Sequence, residues 1–229
     1  MPRNFLQLTQ TTMRESGVTK ELTTVVAQTG LNNRFVQYVA DAAWDIETLW
    51  EDWNFMWAEF SSDTTIGNLV PDTSKPTDLG HYDTGSFVID RTTAAYAKLT
   101  FMKYREYRDG PGLGVQTNNK PQQIIVKPDD TLIAWPPSDQ IYTLTCEYWK
   151  KPTRLALDLD NPSVPDLYER IIIARAKTKY AAYHEAPEIL NEATAEYLEL
   201  LDRLEAAYLP NRDGHRQSEA VEVITVRSE

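Results

Sequence analysis

Cysteine, histidine and positive charge are scarce in this chain of 229 residues, and each shortage removes a class of function. Cys146 is alone, so it can form neither an internal disulfide nor a Cys-rich metal site. The three histidines are His81, His184 and His215. The first and third lie in Gly-containing polar stretches, His184 ends a predicted helix, and none has the i, i+4 partner of a zinc-binding helix. No metal and no cofactor are expected. The 23 Lys and Arg face 34 Asp and Glu, a net charge of −11 that repels phosphate. A protein that grips DNA or an anionic membrane by its overall field is therefore excluded, and only a local basic patch stays open. No run approaches the roughly 20 apolar residues of a membrane span. Met1-Pro-Arg-Asn4 leads into no hydrophobic signal region, so the expectation is an untargeted cytosolic product.

What is present is enough to fold. With 41% hydrophobic and 25% charged residues the composition is that of a globular chain, long enough for one large domain or two small ones. Four of the six Trp fall between Trp44 and Trp57. From Leu31, the residues Phe35, Val39, Ala42, Ile46, Leu49 and Trp53 recur at steps of three and four, which predicts one helix of about six turns. Its acidic residues Asp41, Asp45, Glu47, Glu51 and Asp52 are expected to face away from that stripe. Trp44, Trp50 and Trp57 fall off it, which leaves two readings: they cover neighbouring elements, or they anchor a contact with another subunit.

Before this helix, Phe5 to Glu15 reads as a short helix stopped by Ser16-Gly17, and Thr19 to Gly30 as a loop. After it, Phe60 to Ile66 looks extended, and Val70 to Thr84, with Pro71, Pro76 and Gly80, reads as a polar loop. Short β-favouring runs follow at 87–89, 99–101, 124–126 and 132–134, the last two joined by a hairpin at Asp129-Asp130. Gln140 to Trp149 alternates cleanly, with Tyr142, Leu144, Cys146 and Tyr148 on one face. A helix from Val164-Pro165-Asp166 carries Leu167, Ile171, Ala174, Thr178 and Ala181, and His184-Glu-Ala-Pro187 breaks it. The last helix spans about 187–208, with Leu190, Thr194, Tyr197, Leu201, Leu204 and Tyr208 on one face. Its other face holds six acidic residues, including Glu192, Glu196 and Glu199, against Arg203 alone. Beyond Pro210 the one strand-like motif holds Val221, Val223, Ile224 and Val226. Two readings stand for it: a docking segment for a partner, or a disordered tail.

These elements predict an α+β chain: a helical bundle of the long Trp-rich helix and a C-terminal hairpin, an inserted antiparallel β-rich middle and an extended C-terminal tail. The boundaries are 1–58 for the first helices, 59–152 for the insertion, 153–210 for the hairpin and 211–229 for the tail.

Catalytic signatures are missing. Gly110-Pro-Gly-Leu-Gly114 has the glycines of a phosphate loop, but no Lys-Ser/Thr and no helix follow, so it reads as a loop tip. The pairs Asp129/Asp130 and Asp158/Asp160 have the residue types of a carbohydrate hydrolase, yet sit in turns where Asp is expected for backbone reasons. Cys146 alternates with core positions and reads as an inert thiol. Lys98, Lys103, Arg105 and Arg108, interleaved with Phe101, Tyr104 and Tyr107, form one basic island. It suits either an acidic protein neighbour or single-stranded nucleic acid.

Three stretches resemble the tailed-bacteriophage head-to-tail adaptor proteins, also called connector or head-completion proteins. They are the aromatic helix Phe35 to Phe60 and its exit, the segments from Ile125 to Pro136 and Tyr142 to Pro152, which look like the family's β-meander, and the helix pair Pro165 to Leu204 around Tyr180-Ala-Ala-Tyr-His-Glu-Ala-Pro187. The resemblance implies a structural, non-enzymatic homo-oligomer, usually a dodecameric ring. It would bind the portal protein on one side and a tail, stopper or nozzle protein on the other, in the neck of a virion, after synthesis in the host cytoplasm. DNA would pass through without specific binding, and no membrane is involved. Under this reading Trp44, Trp50, Trp57, Lys103, Arg105, Arg108, Glu192, Glu196 and Glu199 are candidate subunit contacts, and Val221, Val223, Ile224 and Val226 are candidate portal-docking residues. Rival readings are a stopper or tail terminator, a virion carbohydrate hydrolase, or a single-stranded nucleic-acid binder.

Overall fold

The computed structural model describes residues 2–18, 21–90, 96–114 and 116–209. Five α-helices and two β-sheets form among them, an α+β arrangement. The chain divides into two compact units, one of residues up to Phe55 together with those from Pro152 onward, the other Met56–Lys151.

In the first unit, α1 (Phe5–Glu15) starts at a reciprocal cap: Gln7 N donates to Asn4 Oδ1 at 2.9 Å and Asn4 N to Gln7 Oε1 at 3.1 Å. The next orphan amides, Phe5 N and Leu6 N, donate to the carbonyls of Asp160 and Asp158. The loop at 156–160 is thereby tied to the helix start. Gly17 ends the helix at φ +77°, a conformation glycine adopts without strain.

The Trp-rich helix is shorter than its periodicity predicts. α2 spans Gly30–Glu47, about five turns, and buries Phe35, Val39, Ala42, Ala43 and Ile46. In a longer helix the Ile46 carbonyl would accept from the amide of residue 50. Here it accepts from Leu49 N and from the indole Nε1 of Trp53 at 3.0 Å. Trp53 thus folds back to cap the helix and is fully buried, whereas Leu49 is exposed. Glu47 corrects the expectation that every acidic residue of this helix points outward. It is buried and accepts from Ser163 N at 2.7 Å.

α4 (Arg170–Tyr183) buries Ile171, Ile172, Ile173, Ala174 and Ala176, too many consecutive positions for a single stripe. It packs against α1, α2 and α5 (Pro187–Tyr208), so its sides are covered by different neighbours. Leu167, predicted on its apolar stripe, lies in a 3-10 turn over Asp166–Tyr168 and is 82% exposed. α5 is an amphipathic cover whose only buried residues are Ala193 and Leu204.

In the second unit, β8 (Thr143–Lys150) is the spine of a five-stranded sheet. β1 (Trp57–Asp63) pairs along one side of it; β2 (Leu79–Tyr82) and β3 (Val88–Ile89) share the other, and β4 (Ala97–Lys98) pairs with β3. β2 falls inside the stretch expected to be a polar loop. Its Gly80 lets it lie close to β8, because a Cβ there would sit 2.9 Å from the Trp149 carbonyl. The second sheet holds β5 (Thr100–Lys103), β6 (Gln123–Val126) and β7 (Leu132–Trp135). The hairpin at Asp129-Asp130 joins β6 to β7 as expected, whereas β5 runs parallel to β6. The segments from Ile125 to Trp149 are therefore no single meander, since β7 and β8 lie in different sheets. Ile124, Leu132 and Ala134 meet Leu144, Cys146 and Tyr148 in the core, while Ile125 and Ile133 pack on Tyr107 of α3 (Tyr104–Asp109). Burial on both faces explains the unbroken apolar runs.

Candidate assembly interface

Of the four clustered Trp, only Trp53 is core. Trp44, Trp50 and Trp57 are 38%, 46% and 43% exposed. Their positions follow from the local folding: Trp44 lies on the outer side of α2, Trp50 in the turn that the Trp53 cap creates, and Trp57 at the first residue of β1. Trp50 Nε1 donates to Glu205 Oε1 on α5 at 3.0 Å, and Trp57 Nε1 to Glu147 Oε2 on β8 at 3.0 Å. Both rings are held by their polar edge while much of their surface stays wet. An aromatic side chain already fixed in place loses little entropy when a partner covers it.

The acidic excess of the first unit is partly neutralised from within. Arg170 on α4 bonds both Glu15 of α1 and Glu196 of α5, the latter at 2.6 Å, and the nearby Lys177 lies 3.6 Å from Glu15. Asp45 of α2 receives Arg175 at 2.8 Å and Lys179 at 2.9 Å. Burial pushes the Asp45 carboxyl up, but the hydrogen bonds from Lys179 and Arg175 outweigh it and hold the group below the ordinary Asp value. Glu47 and Glu169 lie the other way. Burial raises both, against the hydrogen bonds of Ser163 to Glu47 and of the Arg3 amide to Glu169.

The predicted contact residues separate accordingly. Glu196 is bound by Arg170, and Glu199 pairs with Arg203 one turn along α5. Glu192, with Glu188 before it, is exposed and forms no ion pair among the described residues. In the second unit Arg108 pairs with Asp109, whereas Lys103 and Arg105 are exposed with no ion pair among the described residues. Val221, Val223, Ile224 and Val226 lie outside the described residues. The cations of α4 and the Trp50 anchor Glu205 are functional candidates that sequence reasoning missed. The signal was available: four cations in ten residues of α4 stand directly before a helix with six acidic residues.

The candidate chemistry finds other uses for its residues. Asp129 sits in the hairpin turn, its carboxylate accepting from Thr131 N at 3.2 Å, and that hydrogen bond holds it below the ordinary Asp value. Asp158 Oδ1 accepts from Val25 N at 2.6 Å and Thr24 Oγ1 at 3.0 Å, and Asp160 Oδ2 from Ala156 N and Leu157 N, both at 2.7 Å. These carboxylates organise turns. His81 stacks on Trp149 with centroids 4.9 Å apart, and His184 lies 4.5 Å from the Tyr180 ring; His215 lies outside the described residues. The Cys146 thiol is pushed up to about 12 by burial. Gly110 to Gly114 forms a 3-10 turn. Among the described residues no cluster of His, Cys, Asp or Glu could hold a metal ion, and no helix is long and apolar enough to cross a membrane.

The arrangement offers fixed aromatic faces, an acidic patch in the first unit and a basic patch in the second, which are the materials of protein contact. No curated protein matches the chain. Residues 3–223 match the family model described as SU10 adaptor protein, and the chain accordingly belongs to this family of phage adaptors.

Proposed function

We propose that the chain is a structural head-to-tail adaptor of a tailed phage, forming a ring beneath the portal that joins capsid to tail and lets DNA pass. The match over residues 3–223 carries this reading. In it the helices of 1–58 and 153–210 form the bundle, 59–152 the inserted β-rich domain and 211–229 an extended tail. Subunits meet through Trp44, Trp50 and Trp57 and through opposite charges, drawn from Lys103, Arg105 and Arg108 on one side and Glu192, Glu196 and Glu199 on the other. The ring is dodecameric, contacts portal above and a tail, stopper or nozzle protein below, and resides in the virion neck. The protein is not an enzyme, a reading supported by the engagement of its candidate carboxylates with backbone amides. The net charge of −11 suits a passage through which DNA slides without adhering.

Purified protein mixed with its portal and observed by native mass spectrometry and electron microscopy tests the proposal. A complex of ring symmetry is expected, and no complex at any concentration would overturn it. Recovery of tail-tube protein instead of portal would favour a stopper or tail terminator. Removing residues 211–229 should weaken portal attachment and leave the melting curve unchanged. Unchanged affinity would refute the docking role of Val221, Val223, Ile224 and Val226.

A further inference from the structure

We propose that the outward face of α5 in one copy docks against the β5–α3 edge of a second copy, with Glu188 and Glu192 opposite Lys103 and Arg105. The inference rests on the ring reading and specifies which faces meet. α5 leaves a stripe exposed along its whole length, through Glu188, Glu192, Ala195, Leu198, Glu199 and Asp202. Leu198, 57% exposed, places an apolar residue in the middle of it. The opposing surface has the same make-up with the charge reversed. β5 is an end strand of its sheet, and Phe101 and Lys103, two residues apart, share one of its faces, both exposed. Arg105 follows in the first turn of α3.

Internal pairing narrows the choice. Arg170, Arg203 and Trp50 already engage Glu196, Glu199 and Glu205, and Asp109 engages Arg108. Glu188 and Glu192 on α5, one turn apart, and Lys103 and Arg105 on the second unit have no such ion pair among the described residues. An acidic patch of one copy that meets the basic patch of the next makes a heterologous contact, the type that forms a ring when its rotation closes.

Two charge-reversed variants test it. K103E/R105E carries acidic patches on both faces, and E188K/E192K carries basic patches on both. Each alone is expected to raise the half-assembly concentration by at least about tenfold, since like charges then face each other across the contact. Mixed together, the two should co-assemble in equal numbers, because every junction between unlike subunits is again complementary. Native mass spectrometry with one variant isotopically labelled reads the ratio, and circular dichroism melting establishes that each is folded.

Assembly of either variant alone at the wild-type concentration would overturn the pairing while leaving the ring intact. Failure of the mixture although both variants melt normally would also overturn it. If a reversed variant does not fold, K103Q/R105Q and E188Q/E192Q take its place and must weaken the salt dependence of assembly; unchanged salt dependence refutes the contact. Wild-type protein that forms no oligomer, alone or with portal, refutes the ring itself and the pairing with it.

Discussion

Replacing Trp50 or Trp53 by Ala separates an assembly anchor from a core residue three positions away. Trp53 is fully buried, stacks on Phe55 at 5.1 Å and supplies the indole donor to the Ile46 carbonyl. Its loss leaves a large cavity and an unsatisfied helix end, so Trp53→Ala should cost about 3–5 kcal/mol of unfolding free energy. Trp50 is 46% exposed. About half of a ring surface near 200 Å² is already in water, and at about 25 cal/mol per Å² the buried half accounts for ~2.5 kcal/mol, part of which the Ala methyl retains. Its bond to Glu205 is exposed and adds only about 0.5 kcal/mol. Trp50→Ala is therefore expected to cost ~1–2 kcal/mol in urea melts of the monomer. If the ring anchors a subunit contact, assembly of the still-folded variant should weaken in addition, by about thirtyfold in half-assembly concentration, the equivalent of an aromatic hot spot worth about 2 kcal/mol. A monomer loss equal to that of Trp53→Ala, or unchanged assembly in native mass spectrometry, would refute the assignment.

Cys146 should resist thiol reagents at neutral pH until the protein unfolds, since burial pushes its thiol up to about 12; rapid labelling of native protein would contradict this. Lowering the pH from neutral toward the ordinary Glu value should stabilise the monomer. Glu47 and Glu169 titrate above that value when folded, so the native state takes up protons first, and Glu47→Gln should flatten the rise in denaturant midpoint. Further acidification should reverse the trend, because Asp45 is held below its ordinary value and loses its Arg175 and Lys179 bonds when protonated. Asp158→Ala should lower stability by about 1–3 kcal/mol in denaturant melts by stripping Val25 N of its acceptor, and an unchanged midpoint would show that the 156–160 loop is not held this way.

Periodicity made much of the fold legible, and its failures share a cause. α1, α5 and the alternation of β8 follow their patterns because each buries one face, and the β6–β7 hairpin follows its unbroken apolar runs because both of its faces are covered. α2 departs because the 3.6-residue rhythm runs on through Leu49 and Trp53 after the backbone has turned, and Trp53 satisfies the rhythm by folding back. β2 escaped notice because four residues with Gly80 at their centre carry no alternation, and only β8 beside them supplies the order. The exposed Trp rings were visible as misfits to the stripe, whereas their fixation by Glu205 and Glu147 depends on contacts 155 and 90 residues apart.

The charge distribution follows the same division between local and distant order. Residues 56–151 hold 10 Lys and Arg against 12 Asp and Glu, so nearly all of the net −11 belongs to the other unit. That unit carries its acidity without strain because α4 sits amid α1, α2 and α5 and supplies Arg170, Arg175, Lys177 and Lys179 to them. Cations placed on the shared central helix draw the surrounding carboxylates inward, and the carboxylates they do not reach remain on the outer stripe of α5. Strongly acidic and nearly neutral units within one chain give neighbouring copies a reason to meet by unlike faces. Two like acidic faces would repel each other, so the distribution that steadies the single chain also disfavours a dimer in which α5 meets α5 and favours contact between unlike faces.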